Sequence, residues 1–200
     1  LLLELGNAAR KVARVPEVLW SETSTPDTTH HTESLWASNF LEENEPGCKL
    51  LEHSPSDGSN PVRYVDRPLT TTPRVSIIIP TMAKLAVIEP CIETLLSLTD
   101  YPNFEVVMLD NSRGKNPEGI LYLVEKGLTV IECDFDFNWP RLNNLGARES
   151  NGELLLFLND DVEIIQASWL TELVKQAQRP AVGTVGALLY YPAGQLQHAG

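Results

Sequence analysis

The chain has 200 residues, 42% of them hydrophobic and 21% charged, and a net charge of −12. Such a composition is globular and large enough for one domain with part of a second. The charge argues against a nucleic-acid backbone as partner, because no local basic stripe offsets it; an anionic small ligand would need a metal ion or helix N-termini to receive it. Cys48, Cys91 and Cys133 are far apart, form no CxxC and match no His spacing, so they read as free thiols in a reducing compartment. No apolar stretch approaches the roughly 20 residues of a membrane helix. The opening "LLLELGNAARK" is too short and too charged for a signal peptide. The chain starts without Met and stops at "LQHAG", directly after a predicted strand, and so reads as a piece of a longer protein.

Residues 1 to about 72 hold "SETSTPDTTHHTES", "EENEPG" and "HSPSDGSNP", all rich in turn formers. They are expected to be a linker carrying little structure, with one short helix in "TESLWASNFLEE". His30 and His31 lack the Cys or carboxylate spacing of a zinc site and read as a solvated pair. From Arg74 the pattern sharpens. "RVSIIIP" predicts a strand buried on both faces. "AVIEPCIETLLSLT" predicts a helix burying Ile88, Ile92, Leu95 and Leu96, with Pro90 in its first turn. "FEVVMLD" is a second strand, and "EGILYLVEKG" a helix closed by Gly127. "LTVIEC" is a third strand, and "WPRLNNLGARESNG" a helix with Pro140 near its start. "ELLLFLN" is a fourth strand, expected at the centre of the sheet with both faces buried. "SWLTELVKQAQ" is a helix with Ser168 as N-cap, and "VGTVGALLYY" a fifth strand.

Strand and helix alternate with short connections, which predicts an α/β fold with a mostly parallel, doubly wound sheet. Ligands of such sheets bind outside the carboxyl ends of the strands. The first strand ends in Pro80-Thr81, the second in Asp110-Asn111-Ser112 and the fourth in Asn159-Asp160-Asp161. Taken singly, each has a plain reading: Asp110-Asn111-Ser112 suits an Asx turn and Asp160 a cap. Their collection on one sheet edge favours a site. Paired carboxylates with no His or Cys nearby suit a hard divalent ion, Mg2+ or Mn2+, bridging protein to phosphates. An Asp at the end of the second strand suits a ribose or base. No GxGxxG follows the first strand, "GKNPEG" lacks P-loop spacing, and no GxSxG is present.

"VSIIIPT", "VVMLDNS" and "FNWPRLNNLGARESNGELLLFLNDDVE", in that order, resemble the family 2 glycosyltransferases of GT-A fold. The subgroup they resemble is the bacterial enzymes that build O-antigen and other surface polysaccharides, with rhamnosyltransferase-like members. The resemblance covers about 75 to 200. It implies that residues 73–200 are the N-terminal, donor-binding half of a GT-A domain, and that 1–72 precede it as an irregular segment. "ARVPEVLW" resembles the end of an upstream module, which would cover about 1–22. "NDD" occupies the place of the DxD motif, implying Asp161 as main metal ligand, with Asp160 approaching the metal or the donor's ribose. By the same resemblance Asp110, with Asn111 and Ser112 beside it, holds the base and ribose side. Pro80 and Thr81 line the nucleotide pocket, and Arg141 and Asn144, three apart on one helix face, contact the donor. Ser112 stands where Gly is common. His198 either approaches the donor or is an ordinary loop histidine.

The implied reaction is inverting transfer from a nucleotide-diphosphate sugar to a saccharide or lipid-linked acceptor in cell-surface polysaccharide synthesis. Its general base is expected beyond Gly200, so the chain alone is expected to bind nucleotide weakly without turnover. The implied location is the cytoplasm, at the inner face of the membrane if the full protein associates peripherally. A non-catalytic nucleotide-sugar-binding module and a sugar nucleotidyltransferase stay open as alternatives. The latter normally carries a Gly-rich loop after its first strand, and "PTMAKLAVIEP" has no glycine.

Overall fold

The computed structural model describes residues 29–53 and 62–199. The upstream-module tail expected over 1–22 lies outside the described residues. The chain divides into two compact units, Leu1–Asp66 and Arg67–Gly200. The first contains helix α1 (Thr29–Asn44) and strands β1 (Lys49–His53) and β2 (Val62–Asp66). No Gly or Pro interrupts α1, and it stops just short of the residue before Pro46, which a proline pushes out of helical geometry. β1 and β2 pair antiparallel, with Leu51 opposite Tyr64. The segment read as a linker with one short helix therefore carries a longer helix and a hairpin. Its strands have five residues each and mix charged with apolar side chains, so no period shows in the sequence. The solvated reading of His30 and His31 concerns side chains outside the described residues.

The second unit alternates as β3 (Val75–Thr81), α2 (Leu85–Leu98), β4 (Phe104–Asp110), α3 (Pro117–Glu125), β5 (Thr129–Glu132), α4 (Trp139–Glu149), β6 (Leu154–Phe157) and α5 (Trp169–Ala177). A small hairpin follows, β7 (Leu188–Tyr190) and β8 (Leu196–Ala199). The main sheet has the order β5-β4-β3-β6, every pair parallel. β3 is buried at every position. Its Val75, Ile77 and Ile79 pack on Ile88, Ile92 and Leu95 of α2, Leu123 of α3, and Leu170 and Val174 of α5. Ile78 packs the opposite way, with Val107 and Leu109, on Leu142 of α4. Helices thus cover both faces, as the alternation predicts. Each fully buried Ile or Leu contributes roughly 1.5–3 kcal/mol against exposure.

Local signals explain the helix ends. Gly127, at φ 73, closes α3: its N–H bonds to Val124 O (2.9 Å) and that of Leu128 to Leu123 O (3.1 Å), the paired bonds of a left-handed C-terminal cap. Asn138 caps α4, its side chain accepting from Arg141 N at 2.9 Å.

Four expectations are corrected. α2 starts at Leu85, so Pro90 lies past the first turn; it is exposed there, and its carbonyl still accepts Thr94 Oγ1 at 2.8 Å. Cys91, not Leu96, completes the buried stripe of α2. Ser168 occupies the N-cap of α5 but makes no capping bond; its hydroxyl accepts from Gln166 instead (3.0 Å). β6, expected to be central and buried on both faces, pairs only with β3 among the described residues, and Leu155 and Phe157 are 43% and 48% exposed. An unbroken apolar run has no period that separates an edge strand from a central one. The expected fifth strand does form, as β7, but it pairs antiparallel with β8 outside the parallel sheet.

Candidate functional site

The chain runs outward from β3 to β4 to β5, then returns to the far side of β3 with β6. This reversal places a crevice beyond the carboxyl ends of β3 and β6. Ile78 O accepts Leu158 N at 3.0 Å, so the alternate residue Pro80 faces the same neighbour. Pro80 has no N–H to continue the ladder, and the two strands part there. Thr81 bridges the gap. Its Oγ1 lies 2.7 Å from Asp160 Oδ2 and accepts Ala83 N at 2.8 Å. Ala83 adopts φ 52 and is buried, with α3 against it: a methyl added to Gly119 would stand 1.9 Å from Ala83 O.

β4 ends in a tight turn. Asp110 Oδ1 accepts Ser112 N at 2.8 Å, so the Asx turn of the plain reading exists and lies in the crevice wall. Asn111 N donates to Thr81 O at 2.9 Å, tying β4 to β3. Its side-chain Nδ2 donates to Cys133 O and Phe135 O, both at 2.7 Å, which engages both amide protons in holding the loop after β5. Ser112 is fully buried, and its hydroxyl finds no partner among the described residues. The left-handed conformation falls on Arg113 (φ 55) and Gly114 (φ 71), not on Ser112, so a serine where glycine is common costs no backbone strain. Arg113 pairs with Asp136 at 2.8 Å and Asp134 at 3.6 Å.

The first turn of α4 completes this wall. The Arg141 guanidinium stacks 3.9 Å from the Phe135 ring centroid, a contact worth about 0.5–1 kcal/mol at an exposed site. Arg141 and Asn144 are exposed, as their shared face predicts, while Leu142, Asn143 and Gly146 turn to the sheet. Arg141 thus joins the group at the end of β4 through Phe135. Among the described residues no hydrogen bond ties Asn144 to the crevice.

Asp160 is half-buried and Asp161 exposed, and among the described residues neither pairs with a Lys or Arg. Their negative field reaches Cys91, whose Sγ lies 3.9 Å from Asn159 O. Burial first, and the charge of Asp160 next, push that thiol up to about 11, so it is neutral at pH 7. Among the described residues no cluster of three or more His, Cys, Asp or Glu side chains is placed to hold a metal. Two adjacent carboxylates without a cation fit a hard ion that takes its remaining ligands from phosphates and water. His198, exposed in β8, borders an apolar cavity of about 620 Å³ between β6, α5 and residues 183–189. That cavity is lined by Asn159 and Val162, which flank the carboxylate pair, but not by Asp160 or Asp161.

The sequence did not disclose the Thr81–Asp160 bond, the loop clamp of Asn111 or the close approach of Gly119 to Ala83. Each joins residues distant in sequence. The one available signal was a hydroxyl placed directly after a strand-ending proline.

A parallel, doubly wound sheet with a carboxylate pair at its switch point is the arrangement of a GT-A domain. The chain belongs to glycosyl transferase family 2, whose model matches residues 76–197. It is 44% identical over 162 residues to the O-antigen biosynthesis protein RfbC of Myxococcus xanthus, covering 76% of this chain and 13% of that protein. It is 24% identical over 128 residues to the GalNAc(5)-diNAcBac-PP-undecaprenol beta-1,3-glucosyltransferase of Campylobacter jejuni, covering 62% of this chain and 41% of that one. Among solved structures, the mannosyltransferase PcManGT from Pyrobaculum calidifontis, in complex with GDP-Man and Mn2+, matches with a TM-score of 0.57 and 26% identity, over 64% of this chain and 39% of that one. The chain therefore spans less than half the length of each of these relatives.

Proposed function

We propose that the chain binds a nucleotide-diphosphate sugar together with Mg2+ or Mn2+, as the donor half of an inverting glycosyltransferase. The observation that carries this reading is the carboxylate pair at the switch point: Asp160 is fixed by Thr81, Asp161 is exposed, and no cation balances either among the described residues. Asp161 is the main metal ligand and Asp160 assists it. The bound ion would supply charge neutralisation on the leaving diphosphate. Asp110 faces the ribose and base, with Asn111 and Ser112 shaping that wall, Pro80 forming its floor and Thr81 seated beneath it. Arg141, at the positive end of α4, suits the diphosphate, and Asn144 extends the same helix face.

The acceptor class, a saccharide or a lipid-linked saccharide in surface-polysaccharide synthesis, is supported by the names of the Myxococcus and Campylobacter relatives. Among the described residues no helix is long and apolar enough to cross a membrane; a cytoplasmic location, with peripheral attachment at the inner membrane face, belongs to the same proposal. The connection from β3 to α2, Met82 to Lys84, has no glycine, which disfavours a sugar nucleotidyltransferase.

Calorimetric titration of the chain with UDP and GDP, with and without Mn2+, tests the reading. Binding is expected only with the ion, weakened roughly 100-fold or more in Asp161→Ala, about 2.8 kcal/mol. Equal affinity with and without Mn2+ overturns the metal clamp. Sugar transfer by the full-length protein separates an enzyme from a binding module.

A further inference from the structure

We propose that Thr81 is a positioning residue that acts on the donor through Asp160, rather than a group that touches the donor itself; this rests on the donor-site reading above. The hydrogen bonds settle which way its proton points. Ala83 N–H can only donate, and it donates to Thr81 Oγ1 at 2.8 Å. The hydroxyl proton is left for Asp160 Oδ2, at 2.7 Å, and an ionised carboxylate can only accept. Thr81 is 4% exposed, and its hydroxyl already accepts once and donates once within the chain.

The relay is anchored at its far end. Ala83 is held at φ 52 and packed under α3, where Gly119 leaves no space for a side chain. Asp160 therefore stands in one orientation, with Oδ2 committed to Thr81 and Oδ1 as the oxygen Thr81 does not engage. It can offer the donor complex one oxygen without breaking that bond. Asp161, exposed and next in sequence, carries no such restriction. The fold itself thus divides labour between two chemically identical neighbours.

The test is a double-mutant cycle on Mn2+-dependent binding of UDP and of GDP to the 200-residue chain, read by calorimetry. Thr81→Val keeps the shape and removes the hydroxyl; it is expected to weaken binding about 10-fold, the lower end for groups that orient a metal's ligands. Thr81→Ser is expected to restore binding to within about 3-fold of wild type. In an Asp160→Ala background, Thr81→Val is expected to cost nothing more, because its effect passes through the missing carboxylate. An equal loss in both backgrounds would mean that Thr81 contacts the donor directly and would overturn the proposal, as would wild-type affinity in Thr81→Val. Circular dichroism checks the fold of each variant, and Thr81→Ala repeats the cycle if the valine variant is unfolded. Failure of the wild-type chain to bind either nucleotide with Mn2+ would instead remove the donor-site reading on which the proposal stands.

Discussion

Replacing Gly119 by alanine puts the geometry of the crevice to a quantitative test. The new Cβ would stand 1.9 Å from Ala83 O and 2.8 Å from Ala83 C, so the Ala83 carbonyl must retreat about 1.5 Å to reach ordinary contact at 3.4 Å. The obstacle is backbone in a left-handed turn, not the flexible end of a side chain. Overpacking of this kind costs about 1–3 kcal/mol, and a backbone obstacle belongs at the upper end. Alanine recovers at most about 1 kcal/mol of helix propensity, less at this first-turn position. The net loss is about 2 kcal/mol, or a fall in Tm of roughly 4–8 °C for a chain of this size. Urea unfolding followed by the fluorescence of Trp139 and Trp169 measures it. Gly114→Ala is the control: its Cβ meets nothing within 4 Å, so only the left-handed backbone at φ +71 costs, about 1–2 kcal/mol. Because Ala83 N–H positions the Thr81 hydroxyl, Gly119→Ala should also weaken Mn2+-dependent nucleotide binding, and Gly114→Ala should not do so by that route. A Gly119→Ala chain as stable as wild type would refute the close packing of α3 on the Ala83 turn.

Two further outcomes follow from named bonds. Asn111→Ala strips donors from the Cys133 and Phe135 carbonyls; the expected cost is about 2–4 kcal/mol, with faster amide hydrogen exchange across residues 133–137, and unchanged exchange there would disprove the clamp. Glu105 lies at the opposite end of the sheet. Burial alone would raise its pKa, but hydrogen bonds from Ser76 and Asn151 N and the Arg74 charge outweigh it and hold the carboxyl below its ordinary value. A depressed folded-state pKa adds stability that is present above the unfolded value of about 4.3 and is lost as pH falls through the folded value. The stability difference between wild type and Glu105→Gln should therefore hold at pH 6 and shrink below about pH 4.5; a difference constant down to pH 3 would contradict this.

What the sequence revealed depended on the range of the interactions. Strands β3 and β4 were legible because burial on both faces leaves an unbroken apolar run, and α3 and α4 because Gly127 marks the end of one and Pro140 the start of the other. The three strand ends that meet at the crevice followed from alternation alone. β6 was misplaced because its neighbours are chosen by topology, and a run of Leu and Phe is written alike at an edge and at a centre. β7 was legible as a strand but not its hairpin partner β8, although Pro192-Ala193-Gly194 lies between them; Gly194, at φ 85, closes the turn, with its N–H on Tyr191 O at 2.8 Å. The strand-end residues could be read as a set, but the hydrogen bonds that join them could not. Which oxygen of Asp160 is held, and by what, depends on a contact across 79 positions of chain.

That separation also bears on how the protein acquires its shape. β3 pairs with β4 about 29 residues later, but with β6 only after 79. Closing the longer loop costs more chain entropy before any contact rewards it, and non-local parallel pairing is slow. On the ribosome, Thr81 emerges well before Asp160 and waits for it beside a strand with one open side. The Thr81–Asp160 contact is thus completed only when β6 docks, so recovery of the proposed metal-dependent nucleotide binding would report the last native pairing of the sheet to form.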